Sequence, residues 1–508
     1  MKRIAIAATA AVGLAMLTAV SSAGAALLPA TSFDAGASPT SVKAADLNKD
    51  GKLDLVTAGS TDISVLVGDG EGGFAAPVTF PAGYFVRSVD LRDLNGDGNV
   101  DAVAGAGGNG LAQTVKVLLG DGEGAFGIHT EVSAGSDPWA VVTGDLNGDA
   151  YPDIASANRN GNSVSILPGN GDGSFGEPTE YPVGQFPTSI AAGDLNGDGR
   201  SDLAVASADS DNLSILLANG SGGFVPAANY GAGYYSFGVA IGDLDASAGL
   251  DVAVADYVGQ DLRVYGNSGN GALSAPTIHE TGASSTALVA DDIDGDTHDD
   301  LLMTSEEGEG LVVLPGRANG KFGPLERYRV GRLPQAVTTA DVNGDGRPDA
   351  ITASQAGRSV SVLLATEPPS ITVAPEALAF EDRLVGSESQ AEPVTITNPT
   401  SIPVTIENLR VAGPDAGDFG LRGGCGSTTI EPGGSCQITV AFKPVESGAR
   451  SAAIEVNLNG LDTATSIPSR VPESPSRSSR RRPGSLRCRS SLRTRSGSVG
   501  RSPSVSGY

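Results

Sequence analysis

The chain has 508 residues, enough for two or three domains, and a formal net charge of −26. Its 70 Gly and an aromatic content of only 5% argue for many tight turns and thin, small-residue packing, and against a bulky helical core. The charge is uneven: residues 468–508 hold ten Arg and one Glu, so that tail carries +9 and the rest −35. An acidic body of this kind repels nucleic acid and anionic membranes and attracts cations.

The N-terminus reads as an export leader over residues 1–25. Lys2 and Arg3 form a basic start, residues 4–20 are apolar, and Ala23-Gly24-Ala25 is a small-residue cleavage site. An uncleaved anchor is the alternative; the small, uncharged residues after the apolar run favour cleavage. No later segment has the ~20 apolar residues of a spanning helix, so the mature chain is expected to have no membrane span.

A nine-residue segment then recurs seven times: DLNKDGKLD from Asp46, DLNGDGNVD from Asp93, DLNGDAYPD from Asp145, DLNGDGRSD from Asp194, DLDASAGLD from Asp243, DIDGDTHDD from Asp292 and DVNGDGRPD from Asp341. The spacings are 47, 52, 49, 49, 49 and 49 residues. Each repeat reads as four short strands with period-two patterning and Gly/Asn/Asp turns, the last preceded by a G-x-G-x-F turn (Gly122 to Phe126, Gly171 to Phe175, Gly220 to Phe224). Radial repetition of four antiparallel strands is the β-propeller solution to exposed sheet edges. The expected fold class is therefore all-β, a seven-bladed β-propeller over residues 26–366 followed by a second, sandwich domain. The seventh repeat lacks its fourth strand before Glu367, and residues 30–36 are placed to supply it.

The motif suits calcium, which takes six to eight hard oxygens from a tightly wound loop. Positions 1, 3, 5 and 9 offer side-chain oxygens, position 6 the sharp turn and position 7 a carbonyl. The expected ligands are Asp46, Asn48, Asp50, Lys52 and Asp54; Asp93, Asn95, Asp97, Asn99 and Asp101; Asp145, Asn147, Asp149, Tyr151 and Asp153; Asp194, Asn196, Asp198, Arg200 and Asp202; Asp292, Asp294, Asp296, His298 and Asp300; and Asp341, Asn343, Asp345, Arg347 and Asp349. The fifth loop offers Asp243, Asp245 and Asp251 but has Ser247 at position 5 and Ala248 for Gly, which puts its occupancy in question. About six Ca2+ ions follow, with a seventh open. The competing reading is that these residues serve only as Asx turns.

This motif, seven times in register over residues 30–365, closely resembles the FG-GAP/VCBS repeat family, whose best-known member domain is the integrin α-chain propeller. The resemblance implies a ligand surface on the face opposite the calcium loops. Six residues before each motif the repeats lose uniformity, with Thr40, Arg87, Trp139, Thr188, Phe237, Thr286 and Gln335 ringing the expected channel. Arg87, Trp139, Phe237 and Gln335 are the candidate ligand-face residues. Trp139, the single Trp, has Tyr84, Phe85, Tyr234, Tyr235 and Phe237 on neighbouring connections. Packing is the rival role for all of them.

From about Pro369 the pattern changes to alternating strands over 369–462, consistent with a β-sandwich. VTITNPTSIPVTIENLRVAGPDAGDF and TTIEPGGSCQITVAFKP resemble the choice-of-anchor D family, related to the immunoglobulin-like ASPM/SPD-2/Hydin domains. Cys425 and Cys436 match its paired cysteines and are the expected disulfide in an exported chain, free thiols being the alternative. Residues 463–508 are Ser/Arg/Pro-rich and not expected to fold; their composition resembles an out-of-frame end, a basic tail on anionic cell-wall polymers being the rival.

Three His (His129, His279, His298) fall at different repeat positions, none in a G-x-S-x-G or H-E-x-x-H setting. The sequence thus favours a secreted or cell-surface monomer that binds an extracellular protein or glycan, and not nucleic acid. A lectin, or a polysaccharide lyase or hydrolase, is the alternative.

Overall fold

A computed structural model describes residues 8–12, 27–458 and 465–466, apart from 37, 84, 108–112, 246, 248, 309, 318–319, 367–369, 376–377 and 401–402. Most of the leader, Tyr84, Ala248, the side chain of His129, and the tail beyond 466 with Cys488 lie outside the described residues.

The repeats fold as four-stranded antiparallel sheets. Sheets one to seven have first strands Ser41–Ala45, Val86–Arg92, Pro138–Gly144, Pro187–Gly193, Ser236–Gly242, Leu288–Asp291 and Pro334–Ala340. Each first strand packs against the next, and Pro334–Ala340 packs against Ser41–Ala45, giving a propeller-like array. The outer strand of sheet seven is Thr31–Asp34, paired with Ser359–Leu363.

Packing follows from residue size. Second strands such as Asp153–Asn158 (DIASAN) and Asp202–Ser207 (DLAVAS) are buried along their whole length. Both of their faces meet neighbouring sheets, which is why small and β-branched residues fill them. Fourth strands such as Thr179–Pro182 are exposed except at their third residue. That residue is usually aromatic and packs edge-on against the next sheet: Phe33 on Phe74 at 5.4 Å, Phe80 on Phe126 at 6.0 Å and Tyr181 on Phe224 at 5.6 Å between centroids. His279 occupies this place in sheet five and packs on Phe322 at 5.1 Å.

On the inner side a second set of contacts joins the sheets. Thr188 Oγ1 lies 3.3 and 3.0 Å from the Ser236 and Phe237 carbonyls of the following sheet. Thr40 makes the same contact to the Arg87 carbonyl at 3.0 Å, and Thr286 to that of Gln335 at 3.2 Å.

Residues 370–466 form two further four-stranded sheets. Val394, Ile396, Ile438 and Phe442 of one share a core with Val404, Ile406, Ile454 and Val456 of the other. Cys425 is disulfide-bonded to Cys436. Leu378–Arg383 pairs with Ala8–Val12, a segment inside the expected leader. Among the described residues no helix is long and apolar enough to cross a membrane.

Thr188 is buried, so replacing its hydroxyl leaves carbonyls of the adjacent sheet short of a donor, at a cost of about 1–2 kcal/mol. Thr188→Val is expected to lower the urea midpoint accordingly while Thr188→Ser recovers most of it. Equal midpoints for the two variants would remove the inner hydroxyl contact from the account.

Candidate metal loops and channel mouth

The last Asp of each motif begins a second strand and is fully buried: Asp54, Asp101, Asp153, Asp202, Asp251, Asp300 and Asp349. One of its oxygens accepts the N–H of motif position 2 at 2.9–3.1 Å. The other accepts the N–H of the residue that leaves the third strand (Gly68, Gly120, Gly169, Ala218, Asn267, Gly316 or Ala365) at 2.6–2.8 Å.

Inside the loop, the position 1 carboxylate accepts the N–H of position 6, as Gly51 to Asp46 at 2.9 Å. Position 3 accepts that of position 5, as Asp50 to Asn48 at 2.9 Å, and position 5 that of position 7, as Lys52 to Asp50 at 2.9 Å. The same bonds wind the second, third, fourth, sixth and seventh loops. Position 6 is left-handed: φ is +82° at Gly51, and Ala150 and Thr297 hold +73° and +74° despite their side chains.

In the second, third and seventh loops the position 3 Asn amide softens the acid cluster. Asn95 Nδ2 donates to Asp97 at 3.0 Å, Asn343 Nδ2 to Asp345 at 3.2 Å, and Asn147 Nδ2 to both Asp149 and Asp153 at 3.0 Å. In loops five and six position 3 is Asp and that donor is gone. There the carboxylate oxygens of Asp243, Asp245 and Asp251, and of Asp292, Asp294 and Asp300, lie within 4.8 Å of one another. Asp294 Oδ2 is buried with no hydrogen-bond partner, and Arg317 Nη1 stands 4.0 Å away. In loop five Ser247 Oγ turns instead to the Asn267 carbonyl at 3.0 Å. The His298 ring lies against Asp296, with Nδ1 3.0 Å from its carbonyl oxygen.

Burial dominates the titration of these acids. It pushes Asp153, Asp251 and Asp349 up to about 6 against the opposing backbone N–H bonds. Asp294 reaches about 7 and Asp300 about 8, from burial first and then from neighbouring carboxylates. A buried oxygen without a donor, inside three converging carboxylates, fits a hard divalent cation.

At the opposite end, Thr40, Arg87, Trp139, Thr188, Phe237, Thr286 and Gln335 line one cavity of about 140 Å³. Strand register explains why five of them leave the sheet ladder: pairing skips a residue at Arg87, Trp139, Thr188, Phe237 and Gln335. Such a bulge re-aims a side chain. The three Thr spend their hydroxyls on inter-sheet contacts, and the other four present side chains to the channel.

Among the described residues the aromatics do not gather on Trp139 as the sequence suggested. Its ring is covered by guanidiniums, with Arg87 Cζ at 4.7 Å and Arg159 Cζ at 4.0 Å from the centroid, and Arg159 also lies 3.6 Å over Phe186. Burial pulls both Arg below their ordinary range, opposed by the charge of Asp137. Tyr235, Phe237 and Tyr257 form a separate cluster with centroids 5.9–6.3 Å apart. Tyr257 donates to Glu306 Oε2 at 2.7 Å, and Gln335 Nε2 donates to Glu306 Oε1. Phe186, Tyr257 and Glu306 escaped the sequence reading. The available signal was the turn after each second strand, where Arg159, Tyr257 and Glu306 all fall.

The FG-GAP-like repeat profile matches residues 46–104, 93–156, 145–205, 194–254 and 292–352, more than half of the chain. The chain belongs to the FG-GAP-like repeat family. The matched FG-GAP-like repeats each hold at least one of the loops described above. No curated protein matches the chain. Among solved structures, an Agrocybe aegerita lectin that recognises non-reducing terminal N-acetylglucosamine is 20% identical, over 59% of this chain and 80% of its own, with a TM-score of 0.41. BBS1N, solved in complex with ARL6DN, is 13% identical over 67% and 98%, with a TM-score of 0.49. An inactive virginiamycin B lyase from Staphylococcus aureus is 15% identical over 66% and 98%, with a TM-score of 0.46.

The raised carboxyls of the FG-GAP-like loops hold protons in the folded chain at pH values where the unfolded chain, with the ordinary Asp value of 3.8, has lost them. In chelator, stability is therefore expected to fall as pH rises from about 4 towards 8. Urea midpoints measured at pH 4.5, 6 and 8 check this, and Asp294→Asn should flatten the slope. A profile that rises over this window would contradict the assignment.

Proposed function

We propose that this chain is exported by a cleaved leader and acts as a calcium-binding, non-enzymatic ligand-binding module outside the cell or at its surface. In this reading residues 26–366 form a seven-bladed β-propeller and residues 369–462 an immunoglobulin-like choice-of-anchor D domain that spaces or holds it. The observation that carries the binding role is the channel mouth, where a repeating scaffold abandons repetition at one cavity lined by Arg87, Trp139, Phe237 and Gln335. An extracellular protein or glycan is the class of ligand.

Calcium would be held by positions 1, 3, 5 and 9 of the loops and the position 7 carbonyl, with Asp292, Asp294, Asp296 and Asp300 the most acidic set. When bound it supplies positive charge that lets converging carboxylates stay ionised. The orphaned Asp294 oxygen supports this, as does the convergence of Asp243, Asp245 and Asp251, which makes the fifth loop a stronger candidate than its Ser247 suggested. The chain's own bonds already fix the loop shape, so the ion adds stability without having to fold the loop.

One ion at a hundred times its dissociation constant contributes ~2.7 kcal/mol, so six contribute about 16 kcal/mol, and each kcal/mol moves the melting point of a domain larger than about 250 residues by roughly 1 °C. A chelator is thus expected to lower the melting temperature by at least about 5 °C. Elemental analysis should find about six calcium ions per chain, one for each intact loop. An unchanged melting curve with no bound calcium would remove the metal. Glycan and peptide arrays probed with the calcium-loaded chain test the binding role, and turnover of a polysaccharide would overturn it.

A further inference from the structure

The two halves of the channel mouth differ in kind. On the Phe237 side the polar groups are satisfied, since Glu306 accepts from Tyr257 and Gln335. On the Trp139 side they are not. Arg87 and Arg159 are half-buried, yet neither guanidinium makes a hydrogen bond or an ion pair among the described residues, and the Nε of each is shut away from solvent without a partner. Buried donors are normally paired, and leaving a charged one unpaired is costly. What holds these two in place is aromatic: Arg87 and Arg159 on Trp139, and Arg159 on Phe186. Stacking fixes a guanidinium plane but uses none of its N–H donors.

Two acids act on these Arg: Asp137, itself buried, on both, and the exposed Asp209 on Arg159. Two cations against one buried carboxylate and one exposed, more screened one leave a local charge between about 0 and +1, in a chain whose overall charge is −26. That balance suits a single carboxylate better than a doubly charged anion. Size narrows the class further. The cavity of about 140 Å³ is close to one that admits a benzene ring, too small for a hexose ring carrying all its substituents but ample for a carboxylate on a short alkyl stem. The faces a sugar would stack on are also taken: Trp139 is covered by guanidiniums, and Phe237 leans on Tyr235 and Tyr257.

We infer that the Arg87 guanidinium, held on Trp139 beside Arg159 at the channel mouth, binds the carboxylate side chain of an acidic peptide segment of a partner protein. This rests on the mouth being the ligand face and specifies what that face takes. The carboxylate accepts two parallel N–H bonds from Arg87, which a planar fork provides and an ammonium does not.

Trp139 is the single Trp of the chain, so its fluorescence reports directly on this site. The full, calcium-loaded chain is titrated at constant ionic strength with an N-acetylated tetraglutamate amide, with glucuronate and with sulfate. A saturable change with the peptide is expected, with glucuronate and sulfate at least tenfold weaker. Arg87→Gln should weaken the peptide at least tenfold and Arg87→Lys severalfold. No saturable peptide response, or peptide binding unchanged in Arg87→Gln, overturns the inference. Tighter glucuronate binding that Arg87→Gln abolishes also overturns it while leaving the mouth as the ligand face. Array binding that survives Arg87→Gln, with no response to any probe, removes the mouth as well. Should Arg87→Gln fail to fold, the wild-type ranking of the three probes decides the matter.

Discussion

The buried carboxylate at the end of each motif ties the rest together. Asp153, for example, receives one N–H from within its own loop, at Leu146, and one from the exit of the third strand, at Gly169. A carboxylate with both oxygens on backbone donors can sit in an apolar interior where an unpaired one could not. The bond pair fixes where the second strand starts, how the loop closes and where the third strand ends, and it recurs in all seven sheets. The Asx-turn and metal readings of the motif are for this reason not rivals. Some oxygens wind the loop and others converge inside it, and the sixth loop shows what happens when no amide is left to soften that convergence.

Adjacent sheets are joined twice, at different radii. Near the channel the Thr hydroxyls of the first, fourth and sixth sheets reach carbonyls of the next sheet; towards the rim an outer-strand aromatic meets a turn aromatic. Because the rim contact uses a whole ring, it tolerates Phe, Tyr or His, and His279 stands there as a packing group whose burial lowers its basicity. Because the inner contact uses only a hydroxyl, it needs Thr or Ser, and this chain uses Thr. At every inner position not given to Thr the side chain makes no such hydroxyl contact, and a bulge at the same residue turns it out of the ladder.

Much of this was legible in the sequence because it is local. A motif at a spacing of about 49 residues, strands bounded by Gly and Asn, and a last sheet short of one strand can all be read from neighbours in the chain. What was not legible depends on residues brought together across sheets. Trp139 suggested an aromatic platform, but its actual partners, Arg87 and Arg159, lie 52 residues before it and 20 after it. Ser247 signalled a broken loop, yet Asp245 at position 3 matters more because it removes an amide and adds a carboxylate. The pairing of Ala8–Val12 with Leu378–Arg383 was hidden for another reason: a leader is read as material to be removed, not as a strand.

A scaffold of near-identical repeats has difficulty making a specific site, since symmetry would offer the same group in every sheet. This chain breaks that symmetry by charge. Cations cluster where the second, third and fourth sheets meet, through Arg87, Arg159, Trp139 and Phe186, and carboxylates with phenols cluster between the fifth and seventh, through Tyr257, Glu306 and Gln335. Phe186 apart, both clusters draw on the same two structural positions, the bulged residue of the first strand and the turn after the second. Outside the three Thr, neither position belongs to the motif that builds the sheet or to the hydroxyl contacts that join sheets, so substitutions there change what the mouth attracts at little cost to the fold. The acidity of the opposite end cannot vary in the same way, because there the carboxylates are part of the framework.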